Sequence, residues 1–421
     1  MPERKVHVGT VSRSLLLVPE QAARRRLLKN ERRSDGQKDH LKMEGEMNLT
    51  TRLPIRKQIN VANVGWFAND NGPECRTVAF CDTDKTKLES LSKQHPQMTM
   101  YSDFSELLKH PGLDALVIST PNFMHAAQAV AALNAGKHVM LEKPMGISRE
   151  EAGQILVAQR KSGKILTIDF EMRISPYAQR VKSMIESKEY GDLRRIEFIH
   201  HRGCWLEAGS GLWRVRPEKS GGFIFMEPIH EVDIFRLFAG EVKSAQATVA
   251  PTVLPQYKYE DNICAHLFFE NGVVGTILTS HTHSAVPENP AKNWKNTPEY
   301  HAALGHDMNM IFTFTGGSIG VDLLAQKIFF NRFEEWPRGS GGYRVVQDRI
   351  EDHSGGNDMM HFRHDIDAMR REFILRCACG EPPVQDAMDA WRTHMVCLAI
   401  EASVQEDFCR VNVDYTLPAG I

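Results

Sequence analysis

The residues of this sequence best suited to catalysis are a lysine, a histidine and an aspartate. His230 and Asp233 are three positions apart, which places them on one face of a helix. Imidazole titrates near neutral pH, so His230 is the candidate general base. The Asp233 carboxylate either orients that ring or is an ordinary acid of the helix surface. Lys143 follows a short apolar run and can stabilise a developing alkoxide. These groups suit the oxidation of a secondary alcohol.

The first elements that must position these residues are alternating strands and helices between residues 57 and 172. This alternation predicts a doubly wound, parallel Rossmann sheet that binds a dinucleotide. Ligands of such sheets bind at the carboxyl ends of the strands, where Lys143 lies. The predicted strands are Ile59–Val64, Thr77–Cys81, Met98–Tyr101, Ala115–Thr120, His138–Leu141 and Ile165–Phe170. The predicted helices are Lys85–Gln94, Asn122–Asn134 and one from the capping box at Ser148 to about Gly163.

The pattern changes in residues 173–421, where strand-like runs follow one another with few helices between them. The Asn271-Gly272 pair predicts a hairpin. This organisation predicts an α+β domain for substrate binding and oligomerisation, with a mostly antiparallel, open sheet. Its predicted strands are Arg195–His200, Ser244–Val249, Ile263–Phe269 and Val273–Ser280, and its predicted helices are Pro176–Lys188, one from about Glu227, and a helical end over Asp365–Ser403.

Composition and charge exclude several classes of protein. The 421 residues have a formal net charge of −2, which gives no reason to expect nucleic acid or an anionic membrane as a partner. Eight cysteines include no C-x-x-C pair, which favours a reduced, cytoplasmic protein. Residues 1–56 form a basic extension, read as a disordered tail, an over-extended start or a mitochondrial presequence.

Several motifs resemble the glucose–fructose oxidoreductase/inositol dehydrogenase/MocA (Gfo/Idh/MocA) family. Ser119-Thr120-Pro121-Asn122 is followed by His125 and then by Glu142-Lys143-Pro144, and the second domain adds Ser220-Gly221-Gly222 before His230 and Asp233. Arg173 and Pro176 match the arginine and proline after the last strand of the family's first domain. The resemblance covers roughly residues 59–413.

The resemblance implies an NAD(P)-dependent dehydrogenase or reductase. It would transfer a hydride between nicotinamide and a ring hydroxyl of a sugar, inositol or sugar derivative. Asp82, at the end of the second strand, suits the ribose hydroxyls and favours NAD over NADP. The family also implies a homodimer or homotetramer. The predicted cofactor-binding residues are Gly65, Trp66, Phe67, Asp82, Thr120, Pro121, Asn122, His125, Glu142, Lys143, Pro144 and Arg173. The predicted substrate-binding residues are Lys143, Trp213, Arg214, Glu227 and His230.

Two positions depart from the family pattern. The glycine-rich turn is reduced to Gly65 and a second glycine at Gly72, and Phe67 stands where backbone must approach the pyrophosphate. The following crossover is too short for more than a stub of helix, and a nearby Asp70 would repel phosphate. Met226 stands where many members have an aspartate, which argues against the inositol-dehydrogenase subtype.

Two alternatives to a dehydrogenase remain open. One is a redox-neutral enzyme that retains NAD and oxidises its sugar transiently before elimination or glycoside cleavage. The other is a non-catalytic, ligand- or protein-binding descendant of the fold, favoured by the altered glycine turn. A cluster of late histidines also suggests a metal, but no carboxylate or cysteine spacing completes a site, so no metal is predicted. These histidines are His281, His283, His301, His306, His353, His361 and His364.

Overall fold

A computed structural model describes residues 54–202, 213–282, 307–355 and 359–421. The predictions for residues 1–53 and for His283, His301 and His306 lie outside the described residues. No helix among those that are described is both long and apolar enough to cross a membrane.

The first domain is built on a six-stranded parallel sheet in the order β3-β2-β1-β4-β5-β6. The predicted doubly wound fold is therefore confirmed. Its strands are β1 (Ile59–Val64), β2 (Cys75–Cys81), β3 (Thr99–Tyr101), β4 (Ala115–Ile118), β5 (His138–Leu141) and β6 (Leu166–Ile168). Its helices are α1 (Lys85–Gln94), α2 (Phe104–Leu107), α3 (His125–Asn134) and α4 (Arg149–Ser162), with 3-10 turns at Asn122–Met124 and Glu171–Ile174.

Local sequence signals set the ends of α4 as predicted. The Ser148 side chain accepts a hydrogen bond from the amide of Glu151, which satisfies an orphan donor of the first turn. Gly163 ends the helix in the left-handed region at φ 62°, a conformation that costs glycine little. One face of α4 is buried in the hydrophobic core through Ala152, Ile155 and Leu156.

The connection from β1 to β2 has no helix in residues 65–74, all of which the structure describes. A helix from the end of the chain, α10 (Ile366–Cys379), covers that face of the sheet instead. The Arg56 amide, just before β1, donates to the carbonyl of Ala378 at 3.0 Å, and Arg370 approaches Asn63 near the end of β1. Thus α10 runs antiparallel to β1, the orientation that a crossover helix would have.

The second domain contains a nine-stranded sheet in the order β14-β13-β12-β11-β7-β10-β9-β8-β15. All neighbours are antiparallel except β7 and β10, so the prediction of a mostly antiparallel sheet is confirmed. The strands are β7 (Leu193–His201), β8 (Val242–Thr248), β9 (Asn262–Phe269), β10 (Val274–Ser280), β11 (Asp307–Phe314), β12 (Gly317–Asp322), β13 (Lys327–Glu335), β14 (Tyr343–Asp352) and β15 (Val411–Asn412).

Strands β11 to β15 were not predicted from sequence. In β14 the burial pattern has no alternation, because both faces of this edge strand are largely exposed. The remaining helices are α5 (Pro176–Ser187), α6 (Pro217–Ser220), α7 (Phe223–Met226), α8 (Ile229–Ala239), α9 (Met359–Arg363) and α11 (Ala387–Gln405). The predicted helical end is therefore α10 and α11, separated after Gly380, which has φ 69°.

Candidate functional site

A cavity of about 510 Å³ lies at the carboxyl ends of the parallel strands and is closed by residues of the second domain. This is the edge at which doubly wound sheets bind ligands. It brings together most of the residues predicted to act on substrate or cofactor. The predicted residues that line it are Trp66, Thr120, Asn122, Glu142, Lys143, Trp213, Arg214, Glu227 and His230.

Lys143 stands directly after Glu142, which follows β5, and its ammonium crosses to the second domain. There it donates to the carbonyl oxygen of Met226. Burial raises the pKa of Glu142 to about 6, an effect that the neighbouring Lys143 charge opposes and the Glu171 carboxylate reinforces. Lys143 is thus a cation among buried groups at the edge where a substrate oxygen is expected.

His230 lies in the first turn of α8, where Pro228 precedes the helix. Burial lowers the pKa of His230 to about 3, although the nearby Glu171 carboxylate opposes this shift. The ring is therefore uncharged at neutral pH, the form that accepts a proton or a metal ion. Phe170 packs against it edge to face, with ring centroids 6.2 Å apart.

The expectation that Asp233 orients His230 is corrected by its contacts. The Asp233 carboxylate is 1% exposed and accepts hydrogen bonds from Arg173, Gln385 and Thr393. Glu171 is the carboxylate beside His230, with Oε1 3.7 Å from Nδ1. Three helical positions separate two side chains by about 60°, so Asp233 can share a face with His230 and still point to another partner.

Arg173 does not line the cavity, contrary to the role near nicotinamide or substrate that the resemblance implied. It is buried between Asp233 and Asp389, and its Nη1 lies 2.6 Å from Asp389 Oδ2. This arginine joins the segment just after the first domain to α8 and α11. Its position after β6 thus fixes that segment within the second domain, because a buried guanidinium needs carboxylate partners.

His125 holds two loops of the site together. Its ring is fully buried, and its two nitrogens each lie 2.8 Å from a backbone oxygen, Nδ1 from Pro144 and Nε2 from Thr120. His125, Pro121 and Pro144 do not line the cavity. The structure therefore places His125 as a brace between the loops after β4 and β5.

In the altered turn, Gly65 is the position where the close approach of another backbone segment requires glycine. Its φ is 83°, and a Cβ there would lie 2.5 Å from the backbone oxygen of Ser119. Phe67, predicted beside the pyrophosphate, instead packs against Phe80 and His95 with centroids 5.7 and 4.8 Å apart. The side chain of Phe67 thus turns towards β2 and is not among the residues that line the cavity.

We expect Gly65→Ala to lower the free energy of unfolding by about 2–4 kcal/mol, the sum of left-handed strain and overpacking against Ser119. Gly163→Ala is the matched control, because Gly163 also has positive φ but an added Cβ would meet nothing within 4 Å. That variant should lose only about 1–2 kcal/mol. Urea unfolding of both proteins measures the difference, and equal losses would contradict a steric role for Gly65.

The first turns of α10 supply groups that the short β1–β2 connection lacks. Ile366 and Arg370 line the cavity. Arg370 is 4% exposed and pairs with Asp70, so the Asp70 charge is neutralised where repulsion of phosphate was expected. The Nε atom of Arg370 is buried without a hydrogen-bond partner among the described residues. The cavity is thus lined here by a buried guanidinium that retains one unpaired N–H donor.

Asp82 directly follows β2, the position predicted for contact with ribose hydroxyls. Its Oδ2 lies 2.6 Å from the ammonium of Lys87, which also donates to the carbonyl of Gly65. Lys87 is therefore the cation beside Asp82. The close-approach glycine, the unpaired N–H of Arg370 and this half-buried carboxylate together fit a dinucleotide.

The opposite wall comes from the second domain. The Arg214 guanidinium stacks over the Trp213 ring at 4.5 Å from its centroid. Glu227 Oε1 lies 2.6 Å from Arg202 Nη1, and although burial opposes the effect, the Arg202 charge holds the pKa of Glu227 far below its ordinary value. Aromatic faces and charged hydrogen-bonding groups suit a polyol ring.

Several cavity residues were missed at the sequence level. Asp169 and Glu171 follow β6 as Glu142 follows β5, so the rule that sites lie at carboxyl ends of strands could have identified them. His364 and Arg370 lie about 200 residues further along the chain, and no spacing in the sequence connects them with this edge. The additional residues include Asp169, Glu171, His200, Arg202, Glu231, Arg363, His364 and Arg370.

Two family sequence models match the two domains. The oxidoreductase family with an NAD-binding Rossmann fold matches residues 62–170, and the GFO/IDH/MocA C-terminal domain matches residues 178–295. The chain therefore belongs to the Gfo/Idh/MocA family of oxidoreductases, whose Rossmann domain binds NAD.

Similar proteins include dehydrogenases of several substrates. The chain is 30% identical over 206 residues to 1-carboxy-3-chloro-3,4-dihydroxycyclohexa-1,5-diene dehydrogenase of Comamonas testosteroni, covering 48% of this chain and 51% of that protein. It is 26% identical over 218 residues to D-glucoside 3-dehydrogenase of Escherichia coli, covering 48% and 62%. The chain thus spans about half to three fifths of the length of these relatives.

Solved structures share the fold at low identity. Levoglucosan dehydrogenase in complex with NADH and levoglucosan superposes with a TM-score of 0.66 and 19% identity, over 85% of this chain and 100% of that one. At this identity the similarity establishes the fold alone.

Proposed function

We propose that this protein is an NAD-dependent oxidoreductase that transfers a hydride between nicotinamide and a ring hydroxyl of a sugar, inositol or sugar derivative. The observation that carries the proposal is the position of Lys143 and His230 in one cavity at the carboxyl edge of the parallel sheet. The polyol-like substrates named for D-glucoside 3-dehydrogenase and levoglucosan dehydrogenase support this substrate class.

The residues of this chain would divide the chemistry between them. Bound NAD supplies the hydride acceptor or, when reduced, the donor. The Lys143 ammonium holds the substrate oxygen and stabilises the charge that develops on it. Uncharged His230 accepts the hydroxyl proton at Nδ1 or Nε2 in the oxidative direction. Trp213 and Arg214 bind the ring, and the second domain limits access of water.

Calorimetric titration of NAD and NADP into the purified protein tests the proposal. We expect NAD to bind more tightly than NADP, because the Asp82 carboxylate repels a 2′-phosphate. Asp82→Ser should reduce that preference, whereas Asp103→Ser, which changes an N-cap carboxylate near β3, should not. A folded sample that neither binds nor retains either dinucleotide would reject the proposed function.

Binding would then justify a screen of substrates by the absorbance of reduced cofactor at 340 nm, a wavelength set by the nicotinamide. Levoglucosan, alkyl glucosides and inositols are the compounds to test first. Net formation of NADH indicates a dehydrogenase. Retained NAD with product but no net NADH indicates the redox-neutral alternative.

We also propose a homo-oligomer that covers the open face of the second sheet. Ile311 and Ile350 are 41% and 45% exposed, and strand register places them on one face through Gly320 and Phe329. Exposed apolar side chains on one face of an open sheet are typical of an interface.

A further inference from the structure

Three potential metal ligands meet in the cavity from three separate elements. Glu171 begins the 3-10 turn after β6, His230 lies in the first turn of α8, and His364 lies between α9 and α10. One ligand atom from each residue lies within 4.8 Å of the other two. Glu171 belongs to the first domain and the histidines to the second, so the cluster spans the cleft between the domains.

The facing atoms of this cluster have no hydrogen-bond partner. Glu171 Oε1, His230 Nδ1 and His364 Nδ1 are all buried and unsatisfied among the described residues. The Oε1 atom is 3.7 Å from His230 Nδ1 and makes a closer ion-pair contact with His364 Nδ1 that lacks hydrogen-bond geometry. An unsatisfied buried polar atom is costly, and a shared cation would satisfy all three.

An ion pair between Glu171 and a protonated His364 explains only part of this arrangement. It leaves His230 Nδ1 facing the carboxylate at a distance too long for a hydrogen bond. It also leaves Asp169 Oδ1, which belongs to the lining of the same cavity, without a hydrogen-bond partner among the described residues.

We propose that Glu171, His230 and His364 bind a divalent transition-metal ion of the zinc class. Two imidazoles and one carboxylate are ligands that zinc accepts, and hard, oxygen-preferring Mg²⁺ is disfavoured by the imidazoles. Three protein ligands leave a coordination position free, as in catalytic zinc sites.

The role of the ion, though not its binding, rests on the proposed function. The three ligand residues line the cavity that also contains Lys143, so a bound ion would be placed to polarise a hydroxyl or carbonyl oxygen of the substrate. With an ion bound at Nδ1, His230 would serve as a ligand in place of the general base proposed above, and the hydroxyl proton would pass to solvent.

The test measures metal binding directly on untagged, full-length protein dialysed against a chelator. Zn²⁺ is titrated by calorimetry and Co²⁺ by its visible absorption, without NAD or substrate. We expect one equivalent to bind, and Glu171→Gln and His364→Ala each to weaken binding at least about 100-fold. His361→Ala, three residues from His364 and 43% exposed at its side chain, is the matched control and should bind as the original protein does.

Circular dichroism establishes that each variant is folded before titration. Failure of the folded original protein to bind one equivalent of either ion would overturn the metal site, and so would equal affinity in Glu171→Gln, His364→Ala and the original protein. NAD binding, measured separately, distinguishes the two proposals. NAD binding without a metal rejects only the metal site, and metal binding without NAD rejects only the proposed oxidoreductase function.

Discussion

Lys143→Met is expected to lower kcat for hydride transfer by about 10³-fold, because it removes the cation that stabilises charge on the substrate oxygen. The dissociation constant of NAD should change by less than about threefold, a free-energy difference well under 1 kcal/mol. Stopped-flow measurement of NADH formation on the best substrate of the screen, with NAD in excess, gives the rate of the chemical step. Calorimetry gives the dissociation constant.

Lys137→Met is the matched control for this variant. The Lys137 ammonium also donates to a backbone carbonyl, that of Leu113 at 2.8 Å, but it lies outside the cavity. Both substitutions remove such a bond, so both carry a similar cost in stability, and only Lys143→Met should slow the reaction. A rate within about tenfold of the original for Lys143→Met would contradict its proposed role.

Arg173→Met is expected to lower the free energy of unfolding by about 3–5 kcal/mol, because it leaves the buried Asp233 carboxylate without its cation. Burial raises the pKa of Asp233, and the Arg173 charge opposes this shift. The charged form of Asp233 therefore depends on Arg173. Urea unfolding at neutral pH measures the loss. Glu186→Gln, which breaks the exposed Lys182–Glu186 pair, should cost at most about 1 kcal/mol.

The second arm of this experiment separates structure from catalysis. The double variant Arg173→Met with Asp233→Leu removes both charges and should recover part of the lost stability. Asp233→Asn should lower stability while kcat of the folded enzyme stays within about tenfold. A loss of kcat of about 10³-fold in Asp233→Asn, with little loss of stability, would instead favour Asp233 as the group that orients His230.

The proposed site differs from an ordinary dinucleotide fold in how the cofactor edge is built. Elsewhere a helix following β1 directs its N-terminus at the pyrophosphate. Here α10, more than 280 residues further along the chain, packs on the same face with its N-terminus at the same edge, and Arg370 faces the turn through Asp70. The helix that is absent after Gly65 is therefore replaced on this face by a helix from another part of the chain.

The first domain could be predicted from sequence because its signals are local. Each buried parallel strand is an apolar run, α1, α2 and α4 begin at side-chain caps, and Lys143 stands two residues past the end of β5, so sequence position alone assigned it to the ligand-binding edge. The same rule would have identified Asp169 and Glu171. The second sheet was harder, since β14 is an edge strand with largely exposed faces, and the burial of β13 alternates only over its first half.

The sequence by itself determined the parallel sheet, the mostly antiparallel second sheet, and the placement of Lys143 and His230 on elements that meet. These depend on periodicity, caps and strand ends, which act over a few residues. Only the tertiary structure decided that Asp233 pairs with Arg173 and that the Phe67 side chain points away from the cavity. It also decided that His364 and Arg370 join the site. These contacts depend on the need of each buried charge for a partner of opposite charge. Folding brings such partners together from distant parts of the chain.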